Sequence, residues 1–174
     1  MPAAGKNVKE LFETLFSKET DPTVTQPSLT LEALQNTAWE VGTTVTPTYT
    51  LTFSAGKYSY GPSTDVSATY EVTDSNGVTR TTKKDSFPAM VVKDDTNYTI
   101  TAKASYSQGA IPVTNLQNPR ENLRIAAGSK SKTSGTLTGY RAFFYGAIAT
   151  DEISGSSIRN NLINAGKPVA QTLN

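Results

Sequence analysis

Tyr98-Thr99-Ile100-Thr101-Ala102-Lys103-Ala104-Ser105-Tyr106 alternates without interruption. Successive side chains of a strand point to opposite faces. Tyr98, Ile100, Ala102, Ala104 and Tyr106 therefore share one side, and Thr99, Thr101, Lys103 and Ser105 the other. One face is apolar and the other polar, the pattern of a sheet packed on one side and wet on the other.

Working outward, residues 66–82 read as a hairpin that brings Ala68, Tyr70 and Val72 onto one face. Asn76-Gly77 supplies the pair of positive-φ positions that a type I′ turn requires. Further β-rich runs cover 38–46, 48–53 and 87–92. Turn residues bound them, as in Ser54-Ala55-Gly56, Gly61-Pro62-Ser63, Lys93-Asp94-Asp95 and Ser107-Gln108-Gly109. Short strands at this spacing, with a lone Trp39 early in the series, predict a mainly β fold. The expected architecture is an immunoglobulin-like β-sandwich over 28–128, without an inter-sheet disulfide because the chain has no Cys.

Before the sandwich, Val8, Leu11, Phe12, Leu15 and Phe16 fall at i, i+3, i+4, i+7 and i+8, with Lys9, Glu10, Glu13 and Lys18 elsewhere on the wheel. This predicts a short amphipathic helix with Asn7 as its N-cap, ended by Asp21-Pro22. Three turns are too short to be stable alone, so the helix must pack on its own domain or on sister chains. Prolines among Thr, Ser and Gln over 20–30 read as an extended connector, so 1–27 forms an N-terminal helix and connector region.

Beyond the sandwich, 129–174 reads as a β and helical extension. A small polar stretch, 128–135, precedes Tyr140-Arg141-Ala142-Phe143-Phe144-Tyr145-Gly146, the densest aromatic cluster in the chain. A strand with aromatics on both faces is buried on both sides or presents a binding patch. Thr150-Asp151-Glu152, the apolar stripe of Ile158, Leu162 and Ile163, and Gly166 before Pro168 predict a short C-terminal helix near 151–164. A β-like run then begins at Val169, which raises the expectation of a further C-terminal domain.

The 174 residues suffice for one domain or two small ones. Sixteen Lys and Arg against fifteen Asp and Glu leave a net charge of +1, so no bulk attraction to nucleic acid or an anionic membrane is expected. The chain has no Cys and no His. That removes thiolate nucleophiles, Cys/His metal sites, Ser-His-Asp triads and the usual neutral-pH general base. The composition is rich in Thr (27) and Ser (16), which suits half-exposed strands. There is no run of 18 apolar residues, and the first residues lack the apolar core of a secretory signal.

Individual motifs reduce to structure when weighed singly. Asp74-Ser75-Asn76-Gly77 resembles the start of a calcium loop but lacks the later ligands, so it reads as a turn. Asp94-Asp95 reads the same way. Glu71 and Asp85 have no spacing that marks a pair of catalytic carboxylates. The sequon Asn97-Tyr98-Thr99 opens a strand and is read as chance. Arg120, Arg124, Lys130, Lys132 and Arg141 make the C-terminal third locally basic, with Tyr140 and Phe143 nearby; an ordinary solvated face accounts for this better than a nucleic-acid clamp. Gly56-Lys57-Tyr58-Ser59-Tyr60-Gly61-Pro62 places two tyrosines on a tight turn, where they pack locally or present a surface for sugars or proteins.

Several stretches taken together carry a resemblance: Glu40-Val41-Gly42-Thr43-Thr44-Val45, Tyr58-Ser59-Tyr60-Gly61-Pro62, Asn97-Tyr98-Thr99-Ile100-Thr101-Ala102, Ile111-Pro112-Val113-Thr114-Asn115-Leu116 and the aromatic segment from Gly139 to Gly146. Over about residues 28–165 the chain resembles virion structural proteins of tailed bacteriophages and prophages. The resemblance implies an immunoglobulin-like module in a head or tail fibre, appendage or capsid-attached protein, hence a virion location, other virion proteins as partners, and no enzymatic activity. It transfers no site residues.

The expected role is a homo-oligomer, a trimer before other orders, associating through Val8, Leu11, Phe12, Leu15 and Phe16. The alternative is a monomeric carbohydrate-binding or adhesin module that recognises a host-surface glycan through Tyr58, Tyr60, Tyr140 or Phe143. Neither reading needs a catalytic residue, metal or cofactor, and neither involves nucleic acid or a membrane.

Overall fold

Strands form where the period-two pattern is strongest. In the computed structural model, which describes residues 7–16, 18–142, 144–145 and 163–164, Tyr98, Ile100, Ala102 and Ala104 are buried while Thr101, Lys103 and Ser105 are exposed. The run is divided at Thr99 into strands Asn97–Tyr98 and Ile100–Tyr106. Ser75 N–H donates to the Thr99 carbonyl at 3.0 Å, and Thr99 N–H donates to Ser75 Oγ at 3.3 Å. Thr99 is thus bonded to a turn, and the strand changes partners there. Asn97–Tyr98 pairs antiparallel with Leu137–Tyr140, whereas Ile100–Tyr106 lies between Gly128–Thr133 and Ala68–Asp74.

The chain is mainly β. Its larger sheets have the orders Gly128–Thr133, Ile100–Tyr106, Ala68–Asp74, Thr79–Arg80 and Ser28–Ala33, Thr48–Ser54, Lys84–Ser86. A third places Leu137–Tyr140 between Asn97–Tyr98, antiparallel, and Ala38–Glu40, parallel. The close approach of the chain at this sheet needs Gly139, where a β-carbon would collide with the Lys93 carbonyl oxygen. Several sheets without a closed barrel among the described residues agree with a sandwich.

The hairpin over 66–82 forms, with Val72 opposite Arg80 and Thr73 opposite Thr79, but not through a type I′ turn. Gly77 has φ +83°, while Asn76 keeps a negative φ. Gly77 N–H donates to the Asp74 carbonyl, and Asp74 N–H donates to the Val78 carbonyl, both at 3.0 Å. This is a type I turn followed by a left-handed glycine bulge. Asp74 decides the outcome, since its Oδ1 accepts from the N–H of Asn76 and of Val78 at 3.0 and 2.7 Å and holds the turn in the right-handed form.

Other expectations shift. The run over 38–46 breaks into Ala38–Glu40 and Thr44–Val45 at a turn where Gly42 has φ +91°. The polar stretch after 128 contains the strand Gly128–Thr133, exposed at every residue. It lies at a sheet edge, tied by Ser131 Oγ to the Ala102 carbonyl and by Thr133 to Thr101, so no apolar alternation marks it. The β module therefore continues past residue 128, to Tyr140 at least. Most of the expected helix near 151–164 lies outside the described residues; at its end, Ile163–Asn164 is a strand paired antiparallel with Phe144–Tyr145. The run beginning at Val169 also lies outside them.

The chain divides into two compact units, each gathered from separated stretches. The first comprises Met1–Leu29, Phe53–Thr69 and Ala104–Lys130. It holds the helix Val8–Phe16, the pair Val24–Thr25 with Lys57–Tyr58, and a long irregular loop before Gly128. The second comprises Thr30–Thr52, Tyr70–Lys103 and Ser131–Asn174. Its core is Leu34, Tyr49, Leu51, Val72, Phe87 and Val92, with Tyr98, Ile100, Ala102 and Leu137. Tyr49 and Phe87 pack as tilted rings 5.6 Å apart.

Candidate functional site

The helix Val8–Phe16 begins as the sequence predicts. Glu10 N–H donates to Asn7 Oδ1 at 2.9 Å and Asn7 N–H donates to Glu10 Oε2 at 3.0 Å, a reciprocal capping box. It ends at Phe16, well before Asp21-Pro22. Val8 is 72% exposed, Phe12 56%, Leu15 69% and Phe16 79%, with the rings of Phe12 and Phe16 stacked on each other at 5.8 Å. Leu11 lies in the same helix; its side chain is outside the described residues. The apolar stripe is thus a solvent-facing surface on an element whose start is fixed.

The connector is anchored. Thr20 N–H donates to Asn115 Oδ1 at 2.8 Å, and Asn115 Nδ2 donates to the Lys18 carbonyl at 3.1 Å. Glu19 Oε1 accepts from Thr114 Oγ1 at 3.0 Å and Asn118 Nδ2 at 2.7 Å and pairs with Arg120 at 2.9 Å. Those donors hold its carboxyl below the usual carboxylate range, Asn118 contributing most and Thr114 next. Thr114 is fully buried and also accepts from Leu116 N–H and Asn118 N–H. Arg120 reaches Asp21 at 2.6 Å. The segment between helix and first strand is therefore fixed to the loop near residue 115 by polar bonds.

Of the two turn tyrosines, Tyr58 is structural. Its hydroxyl donates to the Ala110 carbonyl at 2.9 Å and accepts from Ile125 N–H at 3.0 Å. Tyr60, 39% exposed, faces solvent. Tyr140 is half-buried in its strand, opposite Glu40. Phe143 lies outside the described residues.

The locally basic segment is largely neutralised. Arg120 engages Glu19 and Asp21, Arg124 engages Glu121 at 3.1 Å, and Arg141 forms a two-oxygen pair with Asp94. Arg141 holds the Asp94 carboxyl below its ordinary range. Lys130 and Lys132 stand exposed on the edge strand Gly128–Thr133, where lysines discourage edge pairing. Asp74 uses both oxygens internally, Oδ2 accepting from Tyr98 Oη at 3.0 Å, in agreement with a turn. Asp85 pairs with Arg80 at 3.4 Å. Among the described residues no cluster of three or more acidic side chains gathers, and no helix is long and apolar enough to cross a membrane.

One feature was not singled out from the sequence. Trp39 is half-buried, and its Nε1–H donates to the Asn36 carbonyl at 3.0 Å. With it, an open cleft of about 310 Å³ is lined by the buried Leu34, Pro47 and Leu137 and by exposed Gln35, Asn36, Thr46 and Thr48. Leu34 has φ +53°, in the left-handed region that branched residues rarely enter. The sequence signal was the lone tryptophan beside adjacent amides, but its neighbours come from four separate strands or loops.

Comparison with known protein families, curated proteins and solved structures finds no match to this chain.

Proposed function

We propose that the chain is a non-enzymatic structural subunit of a homo-oligomeric assembly, with an immunoglobulin-like β-sandwich carried behind an N-terminal associating helix. The observation that carries this reading is the helix itself, capped at Asn7 and Glu10 yet leaving Val8, Phe12, Leu15 and Phe16 in solvent. Apolar stripes on short helices gain stability by burial, and identical copies supply a matching surface through rotational symmetry. The anchored connector supports the reading, since a fixed base orients the helix for such contacts. Together with the resemblance to phage structural proteins, this favours a virion fibre, appendage or capsid-attached component, most simply a trimer. The glycan alternative is weakened at Tyr58, whose hydroxyl is occupied inside the fold.

Light scattering after size exclusion tests the assembly directly. The chain weighs 18.6 kDa, so a trimer has a mass of about 56 kDa. The double substitution Leu11→Asp with Leu15→Asp is expected to return the mass to that of the monomer while the far-ultraviolet β signal persists. A monomeric wild type, or a variant whose oligomer mass is unchanged, removes the proposal.

A further inference from the structure

We propose that the Trp39 cleft is a binding site for a neutral pyranose sugar. This goes beyond the assembly role and does not depend on helix association. The cleft has about 310 Å³, at the small end of ligand sites and suited to a single sugar ring. No charged side chain lines it, which disfavours anions and cations as ligands.

Its chemistry divides by burial. Leu34, Pro47 and Leu137 supply a dry apolar base beside the indole, and the C–H faces of a pyranose pack against aromatic and aliphatic carbon. Gln35, Thr46 and Thr48 are exposed at the rim, and their side chains make no hydrogen bond with the described residues. A carboxamide and two hydroxyls offer donors and acceptors of both kinds to sugar hydroxyls. Asn36 Oδ1 accepts from Ala38 N–H at 3.3 Å, which leaves its amide hydrogens for a ligand.

The site is also preorganised. The bond from Trp39 Nε1 to the Asn36 carbonyl restricts rotation of the indole, so little side-chain freedom is lost on binding. Leu34 sits in the left-handed region without being glycine, and backbone strain of this kind concentrates at ligand clamps. An apolar ligand would use the base but not the rim, and the rim is what favours a sugar.

Trp39 is the single tryptophan of the chain, so its emission and its indole N–H resonance report on this cleft alone. The full chain is titrated with the methyl glycosides of glucose, galactose, mannose and N-acetylglucosamine, with cyclohexanol as an apolar control. At least one glycoside is expected to give a saturable shift of both signals, with a dissociation constant on the order of 1 mM. Gln35→Ala and Thr48→Val, both at exposed positions, should each weaken that binding by about threefold to tenfold with the fold unchanged by circular dichroism. No saturable response to any glycoside overturns the proposal. So does an equal response to cyclohexanol, or affinity indifferent to both rim substitutions. None of these outcomes bears on oligomer mass, so failure here and failure of the assembly reading are distinguished.

Discussion

The two compact units keep their chain in place by different means. The unit containing Thr30–Thr52, Tyr70–Lys103 and Ser131–Asn174 buries Tyr49, Leu51, Val72, Phe87, Val92, Ile100 and Leu137 almost completely. The unit containing Met1–Leu29, Phe53–Thr69 and Ala104–Lys130 buries smaller apolar groups, Leu29, Ala104 and Ile125 with Pro22, Pro27 and Pro112, and no aromatic ring among its described residues. There, side chains bond to main chain instead: Tyr58 to the backbone of residues 110 and 125, Arg124 to the Gly109 carbonyl, and Thr114 to two amides of its own loop. An irregular segment cannot satisfy its backbone through a ladder, so buried and half-buried polar side chains do it. One composition thus supports both an apolar core and a loop region fixed by hydrogen bonds, and the two should fail differently.

The largest effect is expected in the apolar core. Phe87→Ala removes a 2% exposed ring packed on Tyr49, with a loss of about 3–5 kcal/mol in chemical denaturation. A loss below about 1 kcal/mol would show that this core relaxes around the gap and that the contrast is overdrawn.

Next comes the polar bond inside that same unit. Tyr98→Phe leaves Asp74 Oδ2 without its donor in a site only 5% exposed, an expected loss of about 2 kcal/mol near neutral pH. Burial, and then the Asp74 carboxyl, push the Tyr98 phenol upward from its ordinary value of 10.0. A raised folded pKa means its contribution is complete below about pH 10 and declines as pH rises, because the unfolded chain ionises first. Wild-type stability should therefore fall above pH 10 more steeply than that of Tyr98→Phe. Parallel pH profiles would show that this phenol does not govern alkaline unfolding.

A smaller, local effect separates the hydrogen-bonded unit. Tyr58→Phe keeps the ring and deletes the hydroxyl between Ala110 and Ile125, at a cost of about 1 kcal/mol. Hydrogen exchange should quicken at the Ile125 amide while the Ile100 amide keeps its protection. Equal loss at both would show that this hydroxyl supports the whole fold rather than one loop.

These contrasts explain what the sequence made legible. Alternation is a property of neighbouring residues, so the face carrying Tyr98, Ile100, Ala102 and Ala104 could be read directly, as could the helix from Val8 to Phe16. Asp74-Ser75-Asn76-Gly77 marked a hairpin, but the turn type depended on which amides the Asp74 carboxylate captured. Pairings between distant strands left no local trace: Ala38–Glu40 lies parallel to Leu137–Tyr140 through contacts that neither segment announces. The same holds for the candidate sites. The apolar helix stripe was visible in spacing, whereas the Trp39 cleft needs Leu34, Pro47 and Leu137 brought together. Whether Tyr58 packs locally or presents a surface stayed open in the sequence because its partners lie far along the chain.

The smallest effect is expected where the connector is held, and pH is the sharpest probe of it. Glu19 is exposed, and its carboxyl is held below the ordinary value of 4.5 by hydrogen bonds from Asn118 and Thr114 and by Arg120. A depressed folded pKa places its stabilisation above about pH 4.5, to be lost as pH falls through the folded value. Solvent screening keeps the contribution modest. Corrected for intrinsic rate, exchange at the Thr20 amide should therefore quicken in wild type as pH drops below that range. In Glu19→Gln it should be somewhat faster at neutral pH and nearly independent of pH. Asn115 still accepts from Thr20 in that variant, so the connector loosens without detaching. If wild type and variant show the same acid dependence, Asn115 and the Arg120–Asp21 pair hold the connector without Glu19, and the contrast between the units rests on Tyr58 and Thr114.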